Sequence, residues 1–312
     1  MSRQMGHSLR IAFYWILGLS IIGMVWVLAH ALADDARPAL GVRHTVSGVN
    51  PITYYTQEPQ RKSEPAETVV LVASLGRAVS DFNELRTALS QAGYRTIAVE
   101  SRGITDWSGG GFASYGLSDL ASDVHRAMAD AGIPEGERVH LIGHAFGNRV
   151  ARTFATLYPR QTAGLVLVAA GEKTDNMPPD VARSLRLSTL GFIPWSVRGG
   201  AVSKVFFATG NETPEYWQRG WSSWGAIGQV RAAKASSNQN FSAGGEGPML
   251  VLQAQDDVIA PPKDAGELLK ATYGARVTLV SVPHAGHALL PEQPDLIAQS
   301  IIAFFHAHPA VK

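Results

Sequence analysis

A chain of 312 residues is long enough to bury a sizeable core, and it suits one catalytic-sized α/β domain with an insertion, or at most two domains. Its 46% hydrophobic and 17% charged residues exclude disordered and collagen-like classes, and a net charge of +1 with no basic stripe argues against nucleic-acid binding. The absence of cysteine excludes disulfides, thiolate catalysis and Cys-ligated metals.

The N-terminus carries Arg3 and Arg10, then an uncharged apolar run from Ile11 to Leu28, then Ala31-Leu32-Ala33 and two acids. A positive start, an apolar stretch and an A-x-A end describe a signal peptide, whereas about 18 apolar residues also approach the length of a spanning helix. Residues 1–33 are therefore read as a cleaved signal peptide or an N-terminal membrane anchor through residues 11–28. In either case the two arginines keep the start cytoplasmic and place the body outside: anchored, or periplasmic or secreted after cleavage near Ala33. Residues 34–41 read as a linker.

From Val42 the pattern changes. Val42 to Tyr55 alternates around Ser47-Gly48-Val49-Asn50-Pro51, the mark of an antiparallel hairpin. Val69 to Val72 is a β-branched run expected of a strand buried on both faces. A helix is predicted over Asp81–Ala92, a strand over Arg95–Val99, and a helix over Leu117–Ala131 with Leu120, Val124 and Met128 on one stripe. Val139 to Ile142 is a strand and Asn148 to Tyr158 a helix; Leu165–Val168, Met249–Leu252 and Val277–Val282 are strands; Leu296–His306 closes the chain as a helix. Alternation of this kind predicts an α/β fold with a mostly parallel sheet and helices on both faces. Ligands of such sheets sit beyond the carboxyl ends of the strands.

Residues 172–248 break the alternation. They hold no strand-like run but four of the seven tryptophans, Trp195, Trp217, Trp221 and Trp224. Short helices forming a cap are expected, either packed on their own tryptophans or lining an apolar acyl or alcohol pocket with them.

Between a strand and a helix lies Gly143-His144-Ala145-Phe146-Gly147. Small residues two before and two after a central position permit a sharp turn that lifts the central side chain above the sheet. The helix that follows points its N-terminus at that spot, so the amide of Phe146 can stabilise an oxyanion. Here the chain resembles the α/β-hydrolase superfamily, whose elbow G-x-S-x-G it matches everywhere except at the centre. The resemblance covers roughly Val42 to His306. It implies an acid at Asp257, in Asp256-Asp257-Val258-Ile259-Ala260-Pro261, and a base at His287, in Pro283-His284-Ala285-Gly286-His287, with Ala145 at the nucleophile position. Asp256, Glu172 and His284 are rival candidates, and His144 is read as a structural histidine beneath the elbow. The second oxyanion amide falls on Leu75, where Ala73-Ser74 replaces the family's His-Gly. Arg102, in Arg102-Gly103-Ile104, is read as structural.

The resemblance implies hydrolysis of an ester or related acyl bond of a small, apolar substrate, with no cofactor and no metal. A methyl group cannot attack a carbonyl, so Ala145 admits three readings. The serine of an esterase-like enzyme has been exchanged for alanine; or an enzyme uses the His287–Asp257 dyad as a general base without a nucleophile; or the scaffold binds a ligand or partner without catalysis. Gly109-Gly110-Gly111 lacks the lysine and the strand–helix setting of a phosphate loop and reads as a loop near the site entrance.

Overall fold

The computed structural model describes residues 2–33, 36–61, 66–105, 114–171, 177–236 and 241–310. Calls on Glu172 and on Gly109-Gly110-Gly111 lie outside them. One sheet of eight strands forms the centre: β1 (Val42–Val46), β2 (Ile52–Gln57), β3 (Thr68–Val72), β4 (Arg95–Val99), β5 (Val139–His144), β6 (Thr162–Val168), β7 (Met249–Ala254) and β8 (Val277–Val282). Their spatial order is β1-β2-β4-β3-β5-β6-β7-β8. Only β1–β2 and β2–β4 pair antiparallel; the other five pairings are parallel.

The β-branched runs are buried on both faces because helices cover both. Alternate residues along β3, Val70 and Val72, pack with α3 (Leu117–Asp130) and α4 (Phe146–Leu157) through Leu120, Val124, Val150 and Phe154. Val69 and Leu71 point the other way, toward α2 (Asn83–Gln91) and α10 (Pro294–Ala307), meeting Leu85, Leu89, Ile301 and Phe305. Side chains of period two therefore feed two separate cores. Helix α9 (Gly266–Tyr273) bridges β7 and β8. The predicted helix over 81–92 begins as a 3-10 turn at Val79–Phe82 before α2, and α4 starts at Phe146, two residues earlier than the sequence pattern suggested.

Between β6 and β7 the chain leaves the sheet and forms α5 (Pro179–Ser188), α6 (Trp195–Phe206), α7 (Glu215–Gln218) and α8 (Ser223–Ala235). These helices have a small core of their own, built on Val202, Val205, Phe206, Phe207, Trp217 and Trp221.

At the other end, α1 (Ser2–Ala33) contains a 20-residue apolar window, His7–Trp26, that is long enough to cross a membrane and is not buried against the body. The segment after it, read as a linker, is tied to the body. Residues 36–41 have no regular structure, yet they are bound along their length. Arg37 makes a bidentate ion pair with Glu84 and stacks 3.6 Å over the ring of Tyr216; Leu40 and Pro38 bond the side chain of Asn83; Arg86 donates to the carbonyl of Leu40. Sequence patterning missed this strap because its partners are side-chain-to-backbone bonds, which leave no periodic signal.

Candidate active site

The site is built at the carboxyl end of β5. Ala145 follows the last residue of that strand with φ 48° and ψ −108°, a left-sided conformation that a residue with a Cβ rarely adopts. Such strain costs on the order of 1–3 kcal/mol and persists only where the surroundings impose it. Here they do. A Cβ on Gly143 would lie 2.5 Å from the backbone nitrogen of Asn148, and one on Gly147 would lie 2.1 Å from the carbonyl oxygen of Val72. The turn is thus closed on both sides by backbone that only glycine permits. The side chain of Asn148 also donates to the carbonyl of Ala145, latching the turn from within α4.

Because α4 begins at Phe146, that residue carries the first amide of the helix, which has no partner one turn earlier. The close approach of Gly147 to Val72 brings the end of β3 alongside, and three residues later comes Leu75, half-buried in the turn closed by the bond from the Arg77 amide to Ser74 O at 3.1 Å. The next residue, Gly76, is held by the cap: its amide donates to Gln229 Oε1 at 2.7 Å and its carbonyl accepts the amide of Ser222 at 2.8 Å.

Asp257 and His287 come from the loops after β7 and β8. His287 Nδ1 lies 2.8 Å from Asp257 Oδ2, while Oδ1 accepts the amides of Ile259 and Ala260 at 2.9 and 2.7 Å. Both side chains are buried. The pairing of Nδ1 with the carboxylate fixes the ring and leaves Nε2 as its available nitrogen. Asp256 and His284, by contrast, are exposed, and neither reaches the other's partner.

His144 sits beneath this arrangement. Its Nε2 lies 3.0 Å from the carbonyl of His287, and the two rings are 6.1 Å apart, so the residue preceding Ala145 is tied to His287. Burial, reinforced by the nearby imidazole of His287, pushes its pKa down to about 4. His144 is therefore neutral over the ordinary pH range and donates through Nε2, which is a positioning task.

Two groups that sequence reasoning missed hold the site together. Glu292 accepts the amides of Gly286 and Ala208, both at 2.8 Å, and the side chain of Asn211 at 2.7 Å, clamping the His287 loop to the end of α6. Arg77 pairs with Asp81 in a fork at 2.7 and 2.8 Å, both side chains buried, and donates to the carbonyls of Arg219 and Tyr216 in the cap. Nothing in the spacing of either residue signals its partner.

Of the two roles open to the tryptophans, packing of the cap describes Trp217 and Trp221. Trp217 has no accessible surface and Trp221 almost none; with Phe206 and Phe207 they form the cap's own core at ring separations of 5.1–5.7 Å. They cannot touch a ligand in this conformation. Arg77 stacks on both, 4.6 and 4.8 Å from the ring centres, which adds a cation–π contact to their burial. Trp195 and Trp224 are half-buried, and Phe206 extends the cluster to within 5.7 Å of the His287 ring. Arg102 pairs with Asp123 on α3 at 2.6 Å. Among the described residues, no three side chains of His, Asp or Glu converge as a metal site would require.

The family profile of Hydrolase_4, the serine aminopeptidase S33 group, matches residues 63–294, which is most of the chain. The chain belongs to this family of α/β-hydrolases. RutD of Variovorax paradoxus, named as a carbamate hydrolase, is 28% identical over 256 residues, covering 76% of this chain and 91% of its own. The carboxylesterase CesB of Bacillus subtilis shares the fold with a TM-score of 0.69 at 18% identity, over 91% of this chain and 98% of its own. A bacterial membrane phospholipase A, described as a virulence factor, superposes over 98% of this chain and 99% of its own, with a TM-score of 0.66 at 19% identity. The family match and the likeness to RutD support a hydrolase, and the two solved structures share its fold.

Proposed function

We propose that this chain is built for hydrolysis of an ester or related acyl bond, with Asp257 and His287 as its acid–base dyad, the amides of Phe146 and Leu75 as its oxyanion donors, and Ala145 at the nucleophile position. The observation that carries the reading is the buried 2.8 Å contact between His287 and Asp257, whose loop is bonded to the residue preceding the strained turn. The activities named for the relatives, on carbamates, carboxylic esters and phospholipids, all begin with attack on an acyl carbon.

With a serine at the turn, the hydroxyl oxygen attacks the carbonyl carbon and Nε2 of His287 takes its proton. The carbonyl oxygen becomes an anion facing the two amides. Collapse expels the alcohol or amine, which recovers the proton from His287, and water repeats the cycle to release the acid. The Asp257 carboxylate holds the ring through Nδ1 and stabilises the imidazolium. In the present chain the covalent step has no oxygen to start from. What remains, the oxyanion donors and the binding surface, is worth roughly 10³–10⁴ over water in the serine enzymes measured this way.

A second reading rests on the same intact dyad: a water in the space of the absent hydroxyl, deprotonated by His287, attacks the substrate directly. One comparison separates the two, measuring turnover of short and medium p-nitrophenyl esters by this chain, by Ala145→Ser and by His287→Ala. Turnover and fluorophosphonate labelling confined to Ala145→Ser supports serine chemistry. Activity of the alanine form that His287→Ala abolishes supports the water route. Inactivity of every form, with a ligand still bound, leaves only the binding reading.

We also read α1 as a membrane anchor with the body outside. The apolar window His7–Trp26, with Arg3 before it and Arg10 in its first turn, supports this. Retention of the full-length chain in the membrane fraction after an alkaline wash tests it; release into the supernatant at that step rejects it.

A further inference from the structure

We infer that the outward face of α8 rests on the lipid surface of the membrane that holds α1. Along α8, Ile227 and Val230 are 48% and 39% exposed, and Arg231 and Lys234 are exposed beside them. The four stand at i, i+3, i+4 and i+7, which is a single helical face. The helix Ser223–Ala235 contains no acidic residue. Two aliphatic side chains and two cations on one face match an anionic lipid interface: apolar groups enter the acyl boundary and ammonium or guanidinium groups meet phosphate.

An apolar helix face alone would not name its occupant, and here the chain path does. Beyond Trp26, the end of the apolar window, seven helical residues reach Ala33 and three more steps reach Ala36. At 1.5 Å and at most about 3.6 Å per residue, respectively, this tether is no longer than about 20 Å. Ala36 is seated on the cap: a Cβ on Gly220 would lie 2.9 Å from its Cα, and Arg37 stacks on Tyr216 of α7. Gly220 stands three residues before α8 begins. The strap therefore holds the start of α8 close to the bilayer rather than letting the body hang free.

The opposite face of α8 gives the contact a consequence. Gln229 bonds the amide of Gly76, and Ala226 packs against the same glycine, so the turn carrying Leu75 lies one helix below the proposed footprint. This contact would hold the Leu75 turn near the bilayer, which points to membrane-derived acyl esters as substrates.

The inference rests on the anchor reading, so its test must tell the two apart. The chain has no cysteine, and Ile227→Cys, Val230→Cys, Leu157→Cys and Leu19→Cys each place one spin label uniquely. Leu157 ends α4, which runs away from the elbow to the amino-terminal side of the sheet, and serves as the water reference. Full-length protein is reconstituted into vesicles of phosphatidylethanolamine and phosphatidylglycerol, and collision with oxygen is compared with collision with a water-soluble nickel chelate. Labels at 227 and 230 should show the oxygen-enriched, nickel-poor signature of the headgroup–acyl boundary, label 157 that of water, and label 19 that of the hydrocarbon core. Arg231→Glu with Lys234→Glu should move labels 227 and 230 back toward water. If label 19 sits in hydrocarbon while 227 and 230 behave like 157, the footprint is overturned and the anchor stands. A water signature at label 19 rejects the anchor and the footprint with it. Spin–spin broadening at 227 would assign the face to a second copy of the chain and overturn the lipid contact.

Discussion

His287 and Asp257 meet through Nδ1 and Oδ2 at 2.8 Å, and the other oxygen of the carboxylate is already occupied by two backbone amides. The carboxylate is thus held by three donors and cannot rotate away from the ring. An amide in its place would present an N–H to Nδ1 and force the imidazole into the opposite tautomer, with Nε2 protonated and unable to act as a base. In the Ala145→Ser background, Asp257→Asn should lower kcat for a p-nitrophenyl ester by about 10³–10⁴-fold with little change in KM. Equal rates in the two variants would remove Asp257 from the proposed machinery.

Two buried groups near the site should give stability opposing dependences on pH. Glu100, at the end of β4, is pushed up to about 8 by burial, with the carboxylate of Asp81 adding to the shift and Arg43 opposing it; Oε1 accepts the amide of Val79, and Oε2 has no partner beside a small cavity lined by Val72 and Asp123. Between the ordinary carboxyl value of 4.5 and about 8, the unfolded chain has lost this proton and the native state keeps it, so stability falls as pH rises through that window. His144 does the reverse. With its pKa near 4 instead of 6.5, the unfolded state holds the proton that the native state lacks, and stability rises with pH between those values. Each group contributes a slope of up to ~1.4 kcal/mol per pH unit. Glu100→Gln should therefore stabilise the protein, and more so at about pH 8 than at about pH 5. Urea denaturation at the two pH values measures it, and a gain independent of pH would show that Glu100 is already ionised in the fold.

The strands and the parallel sheet were legible because fully buried strands are written as β-branched runs such as Val69–Val72 and Leu165–Val168. The elbow was legible because Gly143 and Gly147 are demanded by backbone contacts that any larger residue would break. Long-range polar bonds were not. Glu292 reaches backbone 84 residues away at Ala208, and Arg77 reaches the carbonyl of Arg219, 142 residues on; neither contact imposes a period or a motif. The bonds that tie residues 36–41 to the body left no mark in the sequence for the same reason. Trp217 shows the limit in the other direction: a cap rich in tryptophan suggests a pocket, but the cap needs a core of its own, and its largest apolar side chain fills that core first.

Glu292 offers a second way to disturb the base without touching it. Its Oε1 accepts from Ala208 and Asn211 and its Oε2 from Gly286, the residue before His287. Glutamine can satisfy only one of these sets, and its NH₂ would face a backbone N–H at the other. Glu292→Gln should cost about 1–3 kcal/mol of stability and speed amide exchange at Gly286 and Ala208 in particular. In the Ala145→Ser background the loss should appear in kcat, since the ring that moves is the one proposed to shuttle the proton. Unchanged exchange at both amides would show that the loop holds its shape without Glu292, through bonds such as Ala288–Phe206 and His287–His144.

Arg77 and Asp81 form a buried ion pair within the body beside the Leu75 turn, with both side chains 2% exposed, and Arg77 carries the bonds that reach the cap. A pair this deep gains from mutual attraction roughly what each ion loses by leaving water, so its net worth is small while the cost of halving it is large. The guanidinium also donates to the carbonyls of Arg219 and Tyr216 and lies over two indoles, so its loss empties a space as well as a charge. Arg77→Met should destabilise the protein by about 3–5 kcal/mol, because it leaves the Asp81 carboxylate buried without a cation. Adding Asp81→Leu to Arg77→Met should recover part of that loss, giving a coupling energy of about 1–3 kcal/mol in the double-mutant cycle. The cap should also become more sensitive to proteases in Arg77→Met at equal global stability, since the connection removed is specific to that layer. Additive effects of the two substitutions would mean that Asp81 finds water or another donor when Arg77 is gone, and the cap would then be held by its aromatic core and not by the pair.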